Sequence, residues 1–475
     1  SASCVANLNP LLEGYKEAAM LNPIYDPLYV IDVNETRYYL ADSYEVSEDG
    51  MQITVKLKED LKWHDGEAIT ADDMIFTMDV CSDTNNGAGG TNIVILNDQP
   101  VKYEKVDDLT VKVTLPMASA SYADLLGGLT LIPEHVFEGN PSVVSAGEAN
   151  MKGIGSGPYK VTEFKQDEYL LLEKYEDYYM GAPSIDKVTF RIISDLSAQE
   201  VALMNGEVNF MELANAPAVA KYEADPNFTV VKYPEGRVNY LAVNKFCETV
   251  QDPKVVEAVF AALNRDEIIA GAYGDGMAES ANSIFSNVNT FYDPSVEGYT
   301  QDVEKAKQLV KETGLDSKTL TLYFNSERVY MKESAQIIQQ QLKNVGINLE
   351  VIPLESAGFF EKVFGTDGDY EFYLNGYGAV GDPDQVVAGM YDGTWGVNLA
   401  VSDEVSQLWK DARTVYTPEE RAAIYKQIQI QTRDELTCYP IAYPNYVFVT
   451  TSNIKGADTI KRTPVFEDYT KLTME

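Results

Sequence analysis

"LTLYF" at residues 320–324 and "SAQIIQQQLKNVGINLEVIPL" at residues 334–354 decide the fold of this chain. The first stretch reads as a strand. In the second, Ala335, Ile338, Leu342 and Val345 recur at the spacing that lines one face of a helix, Gly346 stops it, and an apolar extended run follows. Strand, helix and strand in that order make a βαβ unit, the building block of an α/β fold.

The neighbouring segments carry explicit helix starts. Asp252 is placed to cap a helix that opens on Pro253, and Asn264 to cap the next, with Glu267 at its third position. In "YTPEERAAIYKQIQIQ" Thr417 and Glu420 have capping-box spacing, with Pro418 in the first turn. Further upstream, Ser197 and Glu200 mark a helix start in "SAQEVALMNGE", and Gly206 marks its end. The first third of the chain reads instead as hairpins. "YEVSEDGMQITVKLKEDLKW" alternates apolar and polar residues around Asp49-Gly50, and "VKYEKVDDLTVKVTLP" repeats the device around Asp107-Asp108.

A chain of 475 residues exceeds one ordinary core, so two or three domains are expected. Its 37 basic residues against 74 acidic ones leave a net charge of −37, which repels polyphosphate and anionic lipid; nucleic acid is excluded as a partner. The longest apolar run, "VVEAVFAALN", is too short for a membrane span and carries Glu257. Cys4, Cys81, Cys247 and Cys438 lack the paired spacing of a zinc or redox site. If a bridge forms, Cys247 with Cys438 is the pair to expect; free buried thiols are the alternative.

Chemistry, if present, should be sought in "KWHDGEAITADDM", residues 62–74, which holds one of the chain's two histidines among Asp65, Glu67, Asp72 and Asp73. The local pattern accounts for the acids without a reaction. Asp65-Gly66 suits a tight turn, and Thr70 with Asp73 makes a helix start in which a carboxylate meets unpaired N–H groups. His135, the other imidazole, belongs to a separate helical context, so neither a metal site nor a cofactor is expected. No nucleophile elbow, phosphate-binding loop or dinucleotide fingerprint occurs. A carboxylate pair acting as in glycosidases is the rival enzymatic reading.

The order of motifs carries more information than any one of them. "LNPLLEG", "SYEVSEDGMQITVKLKEDLKWHDGEAITADDMIFT", "LIPEHVF", "GIGSGPYKVTEF", "PSIDKVTFRIISDLSAQEVALMNGEVNF", "YLAVN", "DPKVVEAVFAALNRDEII", "QQQLKNVGINLEV" and "GDPD" follow one another from end to end. In this the chain resembles the solute-binding proteins of peptide- and nickel-type ABC importers, family 5. The resemblance implies an α/β, two-lobed periplasmic-binding-protein fold of type II (cluster C), with an inserted subdomain and two hinge crossovers. Lobe I would comprise residues 1–42, 156–238 and 444–475, with 43–155 as its insertion, and lobe II residues 239–443. The crossovers would fall near "EGRVNYLAVN" and "CYPIAYPNYVFV". An importer's receptor implies a monomer outside the cytoplasmic membrane, periplasmic or lipid-anchored, that encloses a small solute and delivers it to a membrane permease. An oligopeptide is the expected solute, an oligosaccharide or metal chelate the alternative. The abrupt start at "SASCVANLNP" fits an export leader or lipid anchor already removed.

Thirty-one tyrosines against 17 phenylalanines suit adaptable recognition, since tyrosine offers a broad apolar face with a polar tip. The candidate ligand-binding residues lie beside the crossovers and in the loops "YLNGYGAVGDPD" and "YDGTWGVN". They are Asn239, Tyr240, Tyr373, Asn375, Tyr377, Asp382, Trp395, Asn398, Tyr443 and Tyr446. One departure bears on the ligand. Peptide-binding members that resemble this chain place an Asp four residues before the proline of the "DP" turn to pair with the peptide's α-ammonium, whereas this chain has Ala379 there. A ligand ammonium would then need another carboxylate, such as Asp382, Asp384 or Glu13, or the ligand lacks that charge.

Overall fold

A computed structural model describes residues 7–12, 18–31, 35–83, 88–96, 98–140, 148–378, 381–392, 399, 401–459 and 468–475. The chain divides into two compact units. Unit 1 is Ser1–Leu213, Val219–Lys232 and Val447–Glu475; unit 2 is Ala214–Ala218 and Tyr233–Tyr446. The sequence reading put the main boundaries at 238/239 and 443/444; the units divide at 232/233 and 446/447, and unit 2 also takes Ala214–Ala218.

Unit 1 begins with the hairpins that the alternation predicts. Strands β1 (Ala41–Val46), β2 (Gln52–Leu57), β3 (Lys102–Asp107) and β4 (Thr110–Thr114) form an antiparallel sheet in the order β1-β2-β4-β3. Its apolar face, with Ile53, Val55, Leu57, Val111 and Val113, packs on Trp63 and on Met74 and Met78 of helix α1 (Ala71–Ser82). Each such side chain contributes about 1.5–3 kcal/mol by leaving water.

Helix α1 starts as its sequence predicts. Thr70 Oγ1 accepts from Asp72 N at 3.2 Å, and Asp73 Oδ2 accepts from Thr70 N at 2.9 Å, which completes a capping box. Asp73 Oδ1 also accepts from Glu134 N at 2.9 Å, so one carboxylate ties two segments together. His64 is buried: Gly155 N donates to Nδ1 at 3.1 Å, which leaves Nε2 to donate to Gly157 O at 2.9 Å. Burial lowers its imidazole to about 4, so it stays neutral. His135 does not stand apart, as its sequence context suggested. The chain folds back and sets its Nε2 2.8 Å from Asp65 Oδ2, in a half-exposed pair.

A second sheet of unit 1 joins β5 (Tyr159–Lys165), β6 (Tyr169–Lys174) and β7 (Lys187–Arg191), with β6 in the middle. Asp26 lies buried in this unit, and the hydroxyls of Tyr178 and Tyr179 donate to its Oδ2 at 2.8 and 2.7 Å. Burial nevertheless pushes its carboxyl up to about 7. Helix α2 (Leu196–Met204) starts earlier than Ser197 would place it: Asp195, with extended backbone, accepts from Ala198 N at 2.8 Å and leaves Ser197 inside the first turn. Strand β8 (Phe210–Glu212) follows.

Unit 2 is built on the βαβ unit. Strands β9 (Arg237–Val243), β10 (Thr319–Asn325), β11 (Asn348–Leu354), β12 (Phe372–Gly378) and β13 (Cys438–Thr451) lie in the order β13-β9-β12-β10-β11. β10 runs parallel to β11 and β12; β9 runs antiparallel to β12 and β13. Helices α3 (Pro253–Ala262) and α4 (Arg265–Ala272) are capped by Asp252 and Asn264. Helix α5 (Val329–Asn344) joins β10 to β11 and buries Met331, Ala335, Ile338 and Leu342, then stops at Gly346, whose φ of +91° disfavours any other residue. Helix α6 (Ser356–Val363) follows β11, and α7 (Pro418–Asp434) precedes β13.

Two local expectations need correction. Thr417 precedes α7 without accepting a backbone N–H, because its hydroxyl donates to the Glu420 carboxylate instead. Cys247 and Cys438 form no bridge: both are buried free thiols, as is Cys81, with Cys247 Sγ 3.6 Å from Glu371 Oε1 and Cys438 Sγ 3.6 Å from Tyr391 Oη. Cys4 lies outside the described residues.

Candidate functional site

Open α/β sheets bind ligands beyond the carboxyl ends of their parallel strands. In unit 2 that place is a cavity of about 180 Å³, walled by Asn325 at the end of β10 and by Asn375, Gly376 and Tyr377 at the end of β12. Arg328 and Met331 enter from the start of α5, and Phe359, Phe360 and Phe364 from α6 and its end. Arg237 from β9 and Met390 complete the wall. The space has room for large side chains of a ligand. A cavity in unit 1 is much smaller, about 10 Å³.

The backbone beside the cavity is partly open. β9 pairs with β12 along its whole length, from Arg237↔Gly378 to Val243↔Phe372. β10 pairs with β12 only at Phe372 and Tyr373, so the opposite edge from Asn375 to Gly378 carries no strand partner among the described residues.

Glycine at 376 is a steric requirement. A Cβ there would stand 2.0 Å from Asn239 Oδ1, and its absence lets Arg237 reach across, with Nη2 donating to Gly376 O at 2.6 Å and Nε to Asn239 Oδ1 at 3.1 Å. Asn239 Nδ2 in turn donates to Tyr273 Oη at 2.8 Å. Asn325 Nδ2 donates to Ser356 Oγ at 2.9 Å. The Arg328 guanidinium has no hydrogen-bond or ion-pair partner among the described residues. Among the described residues no Asp or Glu lines the cavity.

Of the residues singled out in the sequence, Asn375 and Tyr377 line the cavity, and Asn239 orients Arg237 in its wall. The Tyr377 hydroxyl is already engaged, donating to Ile284 O at 2.7 Å and 3.0 Å from Tyr391 Oη. Tyr240, Tyr373 and Tyr443 are buried in the apolar core of unit 2 instead, because their strand positions face the helices. Tyr446 is half-buried against Tyr233, ring centroids 5.4 Å apart. Asp382 caps the turn Pro383–Val386 and is buried against Arg421, whose Nη2 donates to Oδ1 at 3.0 Å, and against Tyr425. Trp395, Asn398 and Ala379 lie outside the described residues.

Sequence reasoning missed Arg237, Arg328, Met331, Phe359, Phe360, Phe364 and Met390. A usable signal existed: "NSERVYM" directly follows a parallel strand, and "GFFEKVFG" carries more aromatic residues than one buried helix face needs.

The family model of bacterial extracellular solute-binding proteins, family 5, matches residues 35–398, and the chain belongs to that family. Among solved structures, the ABC transporter substrate binding protein CtaP from Listeria monocytogenes superposes with a TM-score of 0.90 at 34% identity, covering 98% of this chain and 96% of that one. The oligopeptide-binding protein AppA from Bacillus subtilis, solved in complex with a nonapeptide, gives a TM-score of 0.79 at 26% identity, covering 100% and 98%. The dipeptide-binding protein of Escherichia coli is 26% identical over 469 residues, covering 91% of this chain and 86% of its own length. The α/β periplasmic-binding fold expected from the motifs is the fold of this chain. Among the described residues no helix is long and apolar enough to cross a membrane, and no group of His, Cys, Asp and Glu is placed to hold a metal ion.

Proposed function

We propose that this chain is the substrate-binding component of an ABC importer, capturing an oligopeptide outside the cytoplasmic membrane and handing it unchanged to a membrane permease. The observation that carries the reading is the open edge of β12 beside a side-chain-sized cavity. An extended peptide can lie along such an edge and take main-chain hydrogen bonds that are the same for every sequence, while the cavity reads one or two side chains. The nonapeptide bound by the Bacillus subtilis relative and the peptide-binding names of other relatives support it. The same reading places the protein in the periplasm or, lipid-anchored, at the outer face of the membrane.

Isothermal calorimetry with mixtures of di- to nonapeptides, oligosaccharides and metal chelates tests the proposal. Heat from peptides, which mass spectrometry then recovers intact, is the expected result. Heat from sugars or chelates alone overturns the peptide assignment, and recovery of cleaved peptide overturns the receptor.

A further inference from the structure

We infer that this receptor selects among peptides by one large apolar side chain, Phe, Met or Leu, which enters the unit 2 cavity and packs against the rings of Phe360 and Phe364 and the thioethers of Met331 and Met390. The inference rests on the peptide-receptor reading and specifies which ligands the same cavity favours.

Helix α6 is the first argument. Phe359 and Val363, four residues apart, are completely buried in the core of unit 2. Phe360 and Phe364, each one residue further round, stack with ring centroids 6.0 Å apart, yet they remain 42% and 49% exposed while lining the cavity. The segment thus carries two apolar stripes, and the first alone suffices to hold the helix on its core. Large aromatic side chains left exposed on a concave wall mark a surface that a ligand covers.

The second is the chemistry of the rest of the wall. Met331 comes from the first turn of α5 and Met390 from the segment Ala388–Tyr391, and both are buried against the same cavity. A thioether is unbranched and polarizable, so it adapts to side chains of different shape and makes favourable contacts with rings. A short side chain leaves these groups without contact partners. A lysine ammonium would meet two guanidinium groups, Arg237 and Arg328, and no carboxylate among the described residues.

The third is position. The cavity adjoins the edge of β12 from Asn375 to Gly378, which carries no strand partner among the described residues. Successive side chains of an extended peptide point to opposite faces, so a ligand held by its main chain at this edge presents one side chain to the cavity in a fixed register. Selection therefore acts at one peptide position, while the remaining positions tolerate any residue.

Alanine pentapeptides carrying a single Phe, Met, Leu, Lys or Glu, placed in turn at each position, are titrated into the full chain. At one position Phe, Met and Leu should bind about 10- to 100-fold more tightly than Ala, and Lys no more tightly than Ala. Phe360→Ser and Phe364→Ser should each remove most of the difference between Phe and Ala at that position, and Phe360→Leu should keep most of it; circular dichroism confirms that the variants are folded. Equal affinities at every position, or tighter binding of Glu than of Phe at the selective one, overturns the inference and leaves the receptor standing. A preference for Phe that survives both serine variants overturns its assignment to this cavity. Silence from every peptide overturns the receptor reading as well.

Discussion

Unit 1 holds a polar cluster around His64 and unit 2 a pair of arginines, Arg237 and Arg328, in a cavity wall, and the two sets are used in opposite ways. At the first, Asp73 accepts from two backbone N–H groups, Thr70 and Asp73 cap a helix, His64 bridges two glycines, and Asp65 meets His135. At the second, Arg328 has no partner among the described residues and Arg237 is only partly engaged. A polar cluster whose hydrogen bonds are all used holds the fold together. One that keeps donors in reserve beside a cavity is available to a ligand. The number of charges does not separate the two cases; their hydrogen-bond accounts do.

Substitutions can break this contrast. Trp63 is completely buried beside the His64 cluster, so Trp63→Ala should lower stability by about 3–5 kcal/mol in denaturant unfolding, while the protein that remains folded binds peptide normally. Lost binding without lost stability would mean that the region touches the ligand.

Acidity sharpens the contrast next, because the buried groups of unit 1 should dominate its pH response. For Asp26, with its carboxyl raised to about 7, the folded state holds more protons than the unfolded state from about pH 4 to 7, so its contribution is present in acid and lost as pH rises through 7. For His64, lowered to about 4, the unfolded state holds more protons from about pH 4 to 6.5, so its contribution is present above that range and lost as pH falls through 4. The two slopes oppose each other, each at most about 1.4 kcal/mol per pH unit. Asp26→Asn should make stability rise more steeply between pH 4 and 6.5, and His64→Gln should make it fall; unfolding midpoints across that range check both. Identical profiles for wild type and both variants would refute the assignment.

Smaller effects complete the series. Thr70→Ala should cost about 1 kcal/mol through the lost cap of α1, read from the same unfolding curves. Arg328→Ala should change stability by no more than about 0.5 kcal/mol, since its guanidinium has no hydrogen-bond or ion-pair partner among the described residues. A large destabilisation there would place Arg328 with the structural charges of unit 1.

What could be read from the sequence was local. The βαβ unit, the Asp252, Asn264 and Thr70 caps and the two hairpins each depend on residues within one turn or one loop, and each formed as expected. The failures have two physical sources. Some are close competitions: Asp195 wins the cap from Ser197 two residues away, and Thr417 turns its hydroxyl to Glu420. Others depend on long-range contact, such as His135 meeting Asp65 or Arg421 claiming Asp382. The burial of two tyrosines was illegible for a related reason. A strand residue can face helix or solvent, and for Tyr240 and Tyr373 the choice rests on which helices later pack there.

Strand β13 is made late, yet it closes two sheets. Its residues Cys438–Ala442 pair with β9 in unit 2, and Phe448, Val449 and Thr450 pair with β8 in unit 1. While a ribosome is still adding the middle of the chain, β8 and β9 are waiting for a neighbour that does not yet exist. Such sequence-distant pairing makes completion of both sheets a slow, terminal event.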